Sequence, residues 1–375
     1  MKTIDAYCAK APPMPSLTWI DGEHTDHQTA AENMNEALET ANLPLLNFLL
    51  VERRLNVNAF YQEKDSKNLS MTPLALCIRF AAHPSLKRLH CFLLLLSHGA
   101  RPYDNASTDT RYPEYENCWA VWFKTFYVGA NHPSYFQQEQ EARDCYLIML
   151  ASMLSHLNGH VESLNERSVE EEETPLESAV QWGSSNATAS FFSIQTVTML
   201  LEAGALPNAG KMGTLCLTLR NHEDTATCLR LCQLLLDAGA DINEHPKFLD
   251  EVTDERCEDT PLVAACARKG PDAVVLTHML LDVKGMNPNI CVGQRHKLSC
   301  LSLAADHPTH SKTLIKLLLL YGADPHHRAR GHSILWHMPP ATKNKFYAAW
   351  LHEPPTMMAL SMRALRQRET TVFNK

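Results

Sequence analysis

Two short phrases recur along this chain, and their recurrence constrains the fold more than any other feature. The first phrase has consecutive leucines followed by a glycine turn, as in Leu234-Leu-Leu-Asp-Ala-Gly-Ala-Asp-Ile-Asn243. Further copies, some of them degenerate, lie at Phe48–Asn58, Phe92–Pro102, Met199–Asn208, Met279–Asn289 and Leu317–His326. The second phrase is Thr-Pro-Leu or a relative of it, and it begins at Thr72, Thr174, Thr260 and Leu301. Self-similarity at such intervals is the signature of a repeat architecture.

Each phrase has a structural interpretation. The threonine can cap the N-terminus of a helix, and the proline after it suits the first helical turn, where no N–H partner is needed. The leucines form the buried face of a second helix, and the glycine supplies the left-handed residue that ends it. One unit is therefore a helix, a turn, a second helix and a hairpin-like loop. Because a single unit cannot bury its own apolar stripe, the sequence predicts an all-α solenoid of stacked units.

The composition indicates a globular chain and argues against several functional classes. Of the 375 residues, 45% are hydrophobic and 20% are charged, which is typical of folded proteins. The formal net charge of −8 argues against a nucleic-acid partner, and no apolar run is long enough to predict a membrane span. Met1–Pro15 has no apolar core of a secretory signal, and most of the 12 cysteines lie within apolar segments. We therefore expect reduced thiols and a cytoplasmic protein.

The residues of the two phrases resemble those of ankyrin-repeat proteins. The match runs residue by residue over Cys232–Asn243 and Thr260–Asn289. The resemblance implies an ankyrin-repeat array over residues 28–352, an N-terminal extension over 1–27, and a C-terminal capping helix within 353–375. It also implies about seven repeats with insertions between the helices or in the loops, at residues 28–60, 71–105, 115–165, 172–208, 211–244, 258–290 and 297–328. The third repeat, in the irregular segment 106–171, lacks both phrases.

Ankyrin-repeat proteins bind other proteins through a concave surface that is built from their loops and first-helix faces. The resemblance therefore implies a non-enzymatic, monomeric interaction scaffold that needs no cofactor. Carried over by position, the residues that would line this surface are Glu172, Glu173, Arg220, Asn221, Glu258 and Asp259. The acidic run that ends at Glu173 has a second interpretation, a solvated loop whose charges favour the start of the following helix.

A cysteine hydrolase is the alternative function from another class. Cys118-Trp-Ala resembles the segment around the nucleophile of papain-like hydrolases, and His156 and His160 are candidate partners for the thiol. The glycine-rich run of that family is missing before Cys118. The simpler interpretation places Cys118 and Trp119 in the core of a repeat helix.

A metal site is not predicted from the cysteines and histidines. Cys228 and Cys232 are four residues apart and share a helical face, as two metal ligands would. No second pair has matching spacing, and the apolar residues around these two cysteines favour a place in the core. We therefore expect no metal centre.

Asn58 and Asn243 each close a loop phrase and have a leucine eight residues earlier. This pattern resembles the sites at which a host asparaginyl hydroxylase modifies ankyrin-repeat proteins. In the other interpretation, the asparagine side chain closes the turn through its own hydrogen bonds.

The C-terminal segment 354–366 has a resemblance of its own. It is similar to the Elongin-binding segment of ankyrin-repeat-and-SOCS-box substrate receptors, with matching positions at Thr356, Met357, Leu360, Ser361 and Leu365. That resemblance implies partners in Elongin B/C and a cullin, and thus a ubiquitin ligase adaptor. The alternative is a helix that caps the last repeat. The divergent repeats also resemble those of bacterial ankyrin effectors, which would place the protein in a host cytosol.

Overall fold

The computed structural model is mostly helical, and it divides into two compact units, residues 1–210 and 211–375. The described residues are 2–15, 30–62, 70–82, 84–106, 117–130, 140–168, 173–181, 187–245, 247–250, 255–292, 298–325, 328–329, 332–333 and 340–351. They contain sixteen α-helices and four two-stranded antiparallel hairpins. The all-α class is therefore confirmed, while the ankyrin solenoid stays a prediction.

The first unit consists of four successive helix pairs and one additional N-terminal helix. That helix, α1, spans Lys2–Cys8. The pairs are α2 and α3 (Ala30–Glu39, Leu43–Val51), α4 and α5 (Pro73–Arg79, Leu86–Ser97), α6 and α7 (Cys118–Ala130, Gln140–Ser155), and α8 and α9 (Pro175–Gln181, Ala187–Ala203). Strands β1 (Tyr61–Gln62) and β2 (Ser70–Met71) form a hairpin between the first two pairs. Phe80–Ala82 and Val161–Leu164 form short 3-10 helices.

The second unit repeats this arrangement three times and adds a last helix. Its pairs are α10 and α11 (Thr214–Asn221, Thr225–Asp237), α12 and α13 (Pro261–Ala267, Asp272–Asp282), and α14 and α15 (Cys300–Asp306, Ser311–Leu320), followed by α16 (Pro340–Leu351). Hairpins join successive pairs and α16: β3 and β4 (Lys247–Asp250, Glu255–Glu258), β5 and β6 (Cys291–Val292, Leu298–Ser299), and β7 and β8 (Arg328–Ala329, His332–Ser333).

Within each unit, neighbouring pairs stack in register. The first helices contact first helices, as α10, α12 and α14 do, and the second helices contact second helices, as α11, α13 and α15 do. The core lies between the two layers and consists mainly of leucines, such as Leu231, Leu262 and Leu314, which are completely buried. This stacking buries the apolar stripe that a single pair would leave exposed.

The predicted helix starts are confirmed. The hydroxyls of Thr72 and Thr260 accept hydrogen bonds from backbone amides three residues later, and the Ser299 hydroxyl does the same, although the phrase at Leu301 did not predict Ser299 as the cap. Thr174 and Glu177 form a reciprocal capping box, because each side chain accepts from the other's backbone amide.

Helix α10 lacks a side chain at its N-terminal capping position, which is occupied by Gly213. A carboxylate from the following loop takes over this role. Oε1 of Glu244 accepts from the backbone N–H of Cys216 at 2.9 Å. An added Cβ on Gly213 would lie 2.6 Å from this carboxylate, so the glycine leaves room for it.

The predicted helix ends are confirmed too. Gly99, Gly204, Gly239, Gly285 and Gly322 follow the leucine stretches, and their φ angles lie between 84° and 104°. In the degenerate first copy, the same left-handed position is taken by Arg54, with φ of 53°. A non-glycine residue pays a conformational cost there, since its Cβ crowds the backbone.

Helix α1 lies within the N-terminal extension and packs against α7 and α9. The carboxylate of Glu202 on α9 accepts from the backbone N–H of Thr3 at 2.8 Å and from the Thr3 hydroxyl at 2.6 Å. Partial burial acts to raise the pKa of Glu202, but the hydrogen bonds from Thr3 and Ile4 outweigh it and lower the pKa to about 2. The carboxylate thus caps α1 from a distance of almost 200 residues in sequence.

The irregular third pair has an aromatic core. Trp122, Phe126 and Tyr146 are almost completely buried and pack with ring centroids 4.6 to 5.1 Å apart. Trp122 Nε1 donates to the Tyr146 hydroxyl, which is also within 3.2 Å of the Thr196 hydroxyl on α9. Aromatic packing therefore replaces the leucine pattern that marks the other pairs.

Candidate functional site

Two of the predicted partner-binding residues turn out to bind each other. Nε of Arg220, on α10, donates to Oδ2 of Asp259 at 2.6 Å, and Asp259 lies just before α12. The side chain of Asp259 is only 3% exposed, whereas that of Arg220 is 44% exposed. Burial raises the pKa of Asp259, and the Arg220 guanidinium opposes this shift. The C-terminal end of α10 therefore presents the exposed Arg220 and the half-buried Asn221, while the buried Asp259 carboxylate holds the Arg220 guanidinium.

Glu173 belongs to the start of α8. Its carboxylate accepts from the Ser178 hydroxyl at 3.2 Å and from the Gln181 side-chain amide. These bonds hold the Glu173 side chain against α8, and both interpretations of the acidic run stay predictions. Glu172 and the side chain of Glu258 lie outside the described residues.

Asn58 and Asn243 link successive loops. The amide of Asn58 donates to the Gly99 carbonyl at 3.0 Å, and its carbonyl oxygen accepts from the Arg101 N–H at 3.0 Å. Asn243 makes the same two bonds, to Gly285 at 2.9 Å and from Asn287 at 3.0 Å. Each side chain thus joins its own turn to the turn of the next helix pair. Their modification by a hydroxylase stays a prediction.

The structure adds a third member to this set of asparagines. Asn289 donates to the Gly322 carbonyl at 3.3 Å and accepts from the Asp324 N–H at 2.6 Å. Its place in the recurring phrase, where Asn287-Pro-Asn289 aligns with Asp241-Ile-Asn243, was the sequence signal for it. We refer to Asn58, Asn243 and Asn289 as the asparagine clamps.

Among the described residues, neither His156 nor His160 pairs with Cys118. Cys118 starts α6 and is 1% exposed, and burial raises the pKa of its thiol to about 12. The neighbouring Thr72 hydroxyl opposes this rise without cancelling it. The ring of His156 bonds the Ser152 carbonyl, and His160 bonds Glu162 and stacks on Tyr103. A nucleophilic thiol needs a lowered pKa and an adjacent base, and the part of the chain that the structure describes supplies neither to Cys118.

A metal centre is equally unsupported within the described residues. No group of three or more histidine, cysteine, aspartate or glutamate side chains converges there. Cys228 and Cys232 are completely buried among the leucines of α11, and the Cys228 thiol donates to the Thr218 carbonyl at 3.6 Å. These two thiols therefore occupy the core, as the simpler interpretation has it.

A groove on the second-helix surface was not predicted. It lies between α11 and α13 and has a volume of about 560 Å³. Its lining combines apolar and acidic side chains: Gln233, Leu236, Asp237, Val275, His278, Met279, Asp282 and Val283. We refer to it as the α11–α13 groove. Asp237 and Asp282 are the residues that follow the leucines in two copies of the recurring phrase, so in-register stacking brings them to neighbouring helices.

Tyr321, the residue that follows α15, contacts two of the residues that line the α11–α13 groove. The Tyr321 hydroxyl, at the end of α15, donates to the Asp282 carboxylate and lies 3.1 Å from Nε2 of His278. The side chains of His278 and Asp282 remain 54% and 52% exposed. Both groups thus keep a fixed position while still facing solvent.

Comparison with known proteins assigns no family to the chain. No family model matches the sequence, and no curated protein is significantly similar to it.

Within the described residues, no helix combines the length and the hydropathy that crossing a bilayer requires. The predicted docking residues Thr356, Met357, Leu360, Ser361 and Leu365 lie outside the described part of the chain.

Proposed function

We propose that this chain is an ankyrin-type repeat scaffold that binds other proteins and has no catalytic role. One observation carries the proposal: the same set of contacts recurs from pair to pair. A hydroxyl caps the first helix, a left-handed glycine ends the second, and an asparagine clamp joins one turn to the next, as with Thr260, Gly285 and Asn289. These contacts hold each loop in a defined position on a stack of rigid helices.

Such a framework suits protein binding for a physical reason. The capping, turn and clamp contacts use a few fixed residues, which leaves the exposed hairpin and first-helix positions free to differ between repeats. The exposed Arg220 and the half-buried Asn221 are first-helix positions of this kind, and Asp259 pre-orients the Arg220 guanidinium. A preorganised cation costs less conformational entropy when it meets a partner than a freely rotating side chain does.

The tail residues support a more specific form of the proposal. If the similarity of residues 354–366 to the Elongin-binding segment reflects function, the scaffold is a substrate receptor that recruits Elongin B/C and a cullin. The wild-type chain should then pull down Elongin B and C, and Leu360→Asp should not. Failure of the wild type to co-purify with Elongin at micromolar concentration would remove this form and leave the scaffold proposal intact. Activity in a host cytosol follows only if the similarity to bacterial effectors also holds.

The scaffold proposal is tested by comparing the first-helix surface and the second-helix surface of the second unit as binding sites. Partners are identified by proximity labelling in cells, and their binding is measured with purified proteins by calorimetry. Asn221→Arg places a charge on the first-helix surface. Ala226→Arg places the same charge at an exposed position of α11, on the second-helix surface. We expect Asn221→Arg to weaken binding about tenfold, and Ala226→Arg to leave it unchanged. Equal affinity of both variants and wild type for every partner would contradict the proposal.

A further inference from the structure

We propose that the α11–α13 groove is the docking site for a short amphipathic helix of a partner protein, and that the Asp282 carboxylate caps the N-terminus of that helix. The inference goes beyond the scaffold proposal, because it assigns a partner to the second-helix surface. It would hold even if the first-helix surface bound nothing. Helix α1 of this chain supplies the precedent, since it is docked on two second helices of the first unit.

Helix α1 shows how two successive second helices of this chain hold a third helix. It packs against α7 and α9, the second helices of the third and fourth pairs. Its residues Ile4, Tyr7 and Cys8 recur at intervals of three and four and are buried or half-buried, whereas Lys2 and Asp5 are exposed. One covered face and one exposed face are typical of an amphipathic helix that lies in a groove.

Burial differs between the helix that α1 covers and its counterpart in the second unit. Every residue of α7 from Cys145 to Leu154 is buried, so all faces of this part of α7 are covered, and α1 is one of the helices that cover it. On α11, by contrast, Arg230, Gln233 and Asp237 are exposed. They recur at intervals of three and four residues and therefore share one face. Helix α11 thus keeps a face open to solvent along the groove.

The acidic residue that holds α1 has counterparts in the α11–α13 groove. Glu202 directly follows two leucines in its copy of the recurring phrase, and Asp237 and Asp282 take the same place in theirs. Asp282 corresponds to Glu202 most closely, because each lies at the C-terminal end of the later of two neighbouring second helices. The recurring phrase therefore places a carboxylate at equivalent positions beside the occupied site on α7 and α9 and beside the α11–α13 groove.

The contact of Glu202 with α1 defines what such a carboxylate recognises. It accepts from the backbone N–H of Thr3 at 2.8 Å, from that of Ile4 at 3.4 Å and from the Thr3 hydroxyl at 2.6 Å. The first N–H groups of a helix have no partner within the helix, and the helix dipole makes that end positive. A carboxylate at the rim of a groove therefore favours the N-terminus of an incoming helix, with a hydroxyl residue in its first turn.

Asp282 is in a position to make this contact. The Tyr321 hydroxyl donates to its carboxylate, Nε2 of His278 lies 3.6 Å from it, and the side chain is still 52% exposed. A carboxylate can accept about four hydrogen bonds, so these neighbours leave room for the amides of a partner. Asp237 shares one carboxylate oxygen with the Gln233 side-chain amide at 2.7 Å and adds a second negative charge to the rim.

The groove also offers the apolar contacts that the body of a helix needs. Leu236, Met279 and Val283 are only partly covered, and Val275 is 48% exposed. The volume of about 560 Å³ lies within the range of about 300–1,000 Å³ that is typical of binding pockets. The partner helix should therefore present apolar residues at intervals of three and four, and acidic residues facing the rim would be repelled.

The first test uses a phage-displayed library of random 15-residue peptides, selected against the full-length chain. Val275→Glu places a bulky anion in the groove, and Ala226→Glu places the same group at an exposed position of α11 outside the groove lining. We expect the selected peptides to bind wild type and Ala226→Glu equally and to bind Val275→Glu at least tenfold more weakly. Their sequences should have serine or threonine directly before apolar residues at intervals of three and four. A thermal melt confirms that each variant folds.

The second test addresses the cap itself, with the tightest selected peptide. Asp282→Asn should weaken binding about fivefold to tenfold, the size of one partly exposed charge-assisted hydrogen bond, and Glu223→Gln should leave binding unchanged. N-methylation of the peptide's first-turn amide should cost about the same, and the two changes together should cost little more than either alone, because both remove one contact.

Several outcomes would overturn the proposal. They are a selection that enriches no peptide, peptides that bind Val275→Glu as well as wild type, and peptides that ignore Asp282→Asn or lose affinity additively in the combined test. Peptides that respond to Glu202→Gln in place of Asp282→Asn would assign the site to α7 and α9. A dimer of the unliganded chain that Val275→Glu dissociates, as seen by sedimentation, would make a second copy the occupant.

Discussion

Arg220 and Asp259 join two successive helix pairs by one buried carboxylate and one half-exposed guanidinium. Arg220 Nε donates to Asp259 Oδ2, and Asp259 Oδ1 accepts from the backbone N–H of Thr260, the residue that caps α12. The pair therefore couples the surface of α10 to the start of the next first helix. A residue suggested by its sequence position to meet a partner is thus part of the internal framework.

Removal of the guanidinium should destabilise the second unit. Arg220→Ala leaves the Asp259 carboxylate buried without its cation, and we expect the free energy of unfolding to fall by about 1–2 kcal/mol at pH 7, since Arg220 is itself partly solvated. Urea denaturation measures this change. Arg230→Ala, at an exposed position of α11, is the control and should change the free energy of unfolding little.

The destabilisation that Arg220→Ala causes should depend on pH. Burial raises the pKa of Asp259 above its ordinary value. The folded state therefore binds its proton more tightly than the unfolded state, and the stabilisation that this proton gives is lost as the pH rises through the raised pKa. Without Arg220 the pKa should rise further, so the destabilisation should be larger at pH 7 than at pH 4. A pH-independent difference between wild type and Arg220→Ala would contradict this account.

The asparagine clamps should contribute measurably to stability. Asn243→Ala removes both bonds that join Asn243 to the next turn, and we expect a loss of about 1–3 kcal/mol. Hydrogen exchange should also accelerate at the Asn287 amide, which loses its acceptor. Asn221→Ala serves as the control because Asn221 lies outside the clamps. Unchanged protection of Asn287 would show that the clamp does not hold the loop.

Substitutions at the left-handed turn position should have opposite effects on stability in two copies of the recurring leucine–glycine phrase. Arg54 has φ of 53°, so Arg54→Gly should relieve strain and raise the free energy of unfolding by about 0.5–1 kcal/mol. Gly239 has φ of 90° and no neighbouring atom within 4 Å of an added Cβ. Gly239→Ala should therefore destabilise by about 1 kcal/mol through backbone strain alone. Thermal denaturation of both variants tests the signs, and equal signs would refute the interpretation.

Docking of α1 should depend on the ionised Glu202. Because its pKa is lowered to about 2, its contribution to stability is present above the ordinary range of a glutamate and is lost as the pH falls toward 2. Glu202→Gln should reproduce the acid effect at neutral pH and speed hydrogen exchange at Thr3 and Ile4. Glu223→Gln, at an exposed position of the second unit, is the matched control. If exchange at Thr3 and Ile4 stays slow in Glu202→Gln, the carboxylate does not fix α1.

Cys118 should be unreactive in the native protein. Its thiol is buried and has a pKa of about 12, so almost none of it is thiolate at neutral pH. Iodoacetamide should label the half-buried Cys8 in the native protein and Cys118 only on unfolding, as read by mass spectrometry of timed samples. Labelling of native Cys118 faster than of the denatured chain would revive the hydrolase alternative.

The sequence by itself determined where helices start and end and where the chain turns. Thr72 and Thr260 cap helices, Gly239 and Gly322 end them, and the Asp241 side chain closes a turn by accepting from the Asn243 N–H, because these roles depend on neighbours within a few residues. The leucine periodicity determined which helix faces are buried, and the recurrence of the phrases predicted that helix pairs follow one another.

Only the tertiary structure decided which distant residues meet. Asp259 was assigned to a surface from its place before Thr260, but stacking of α10 on α12 buries it beneath Arg220. The cap of α1 by Glu202, the cap of α10 by Glu244 and the acidic rim of the α11–α13 groove arise in the same way. Each depends on where two helices or loops stand relative to each other, and a distance across the fold is set by packing that no local pattern encodes.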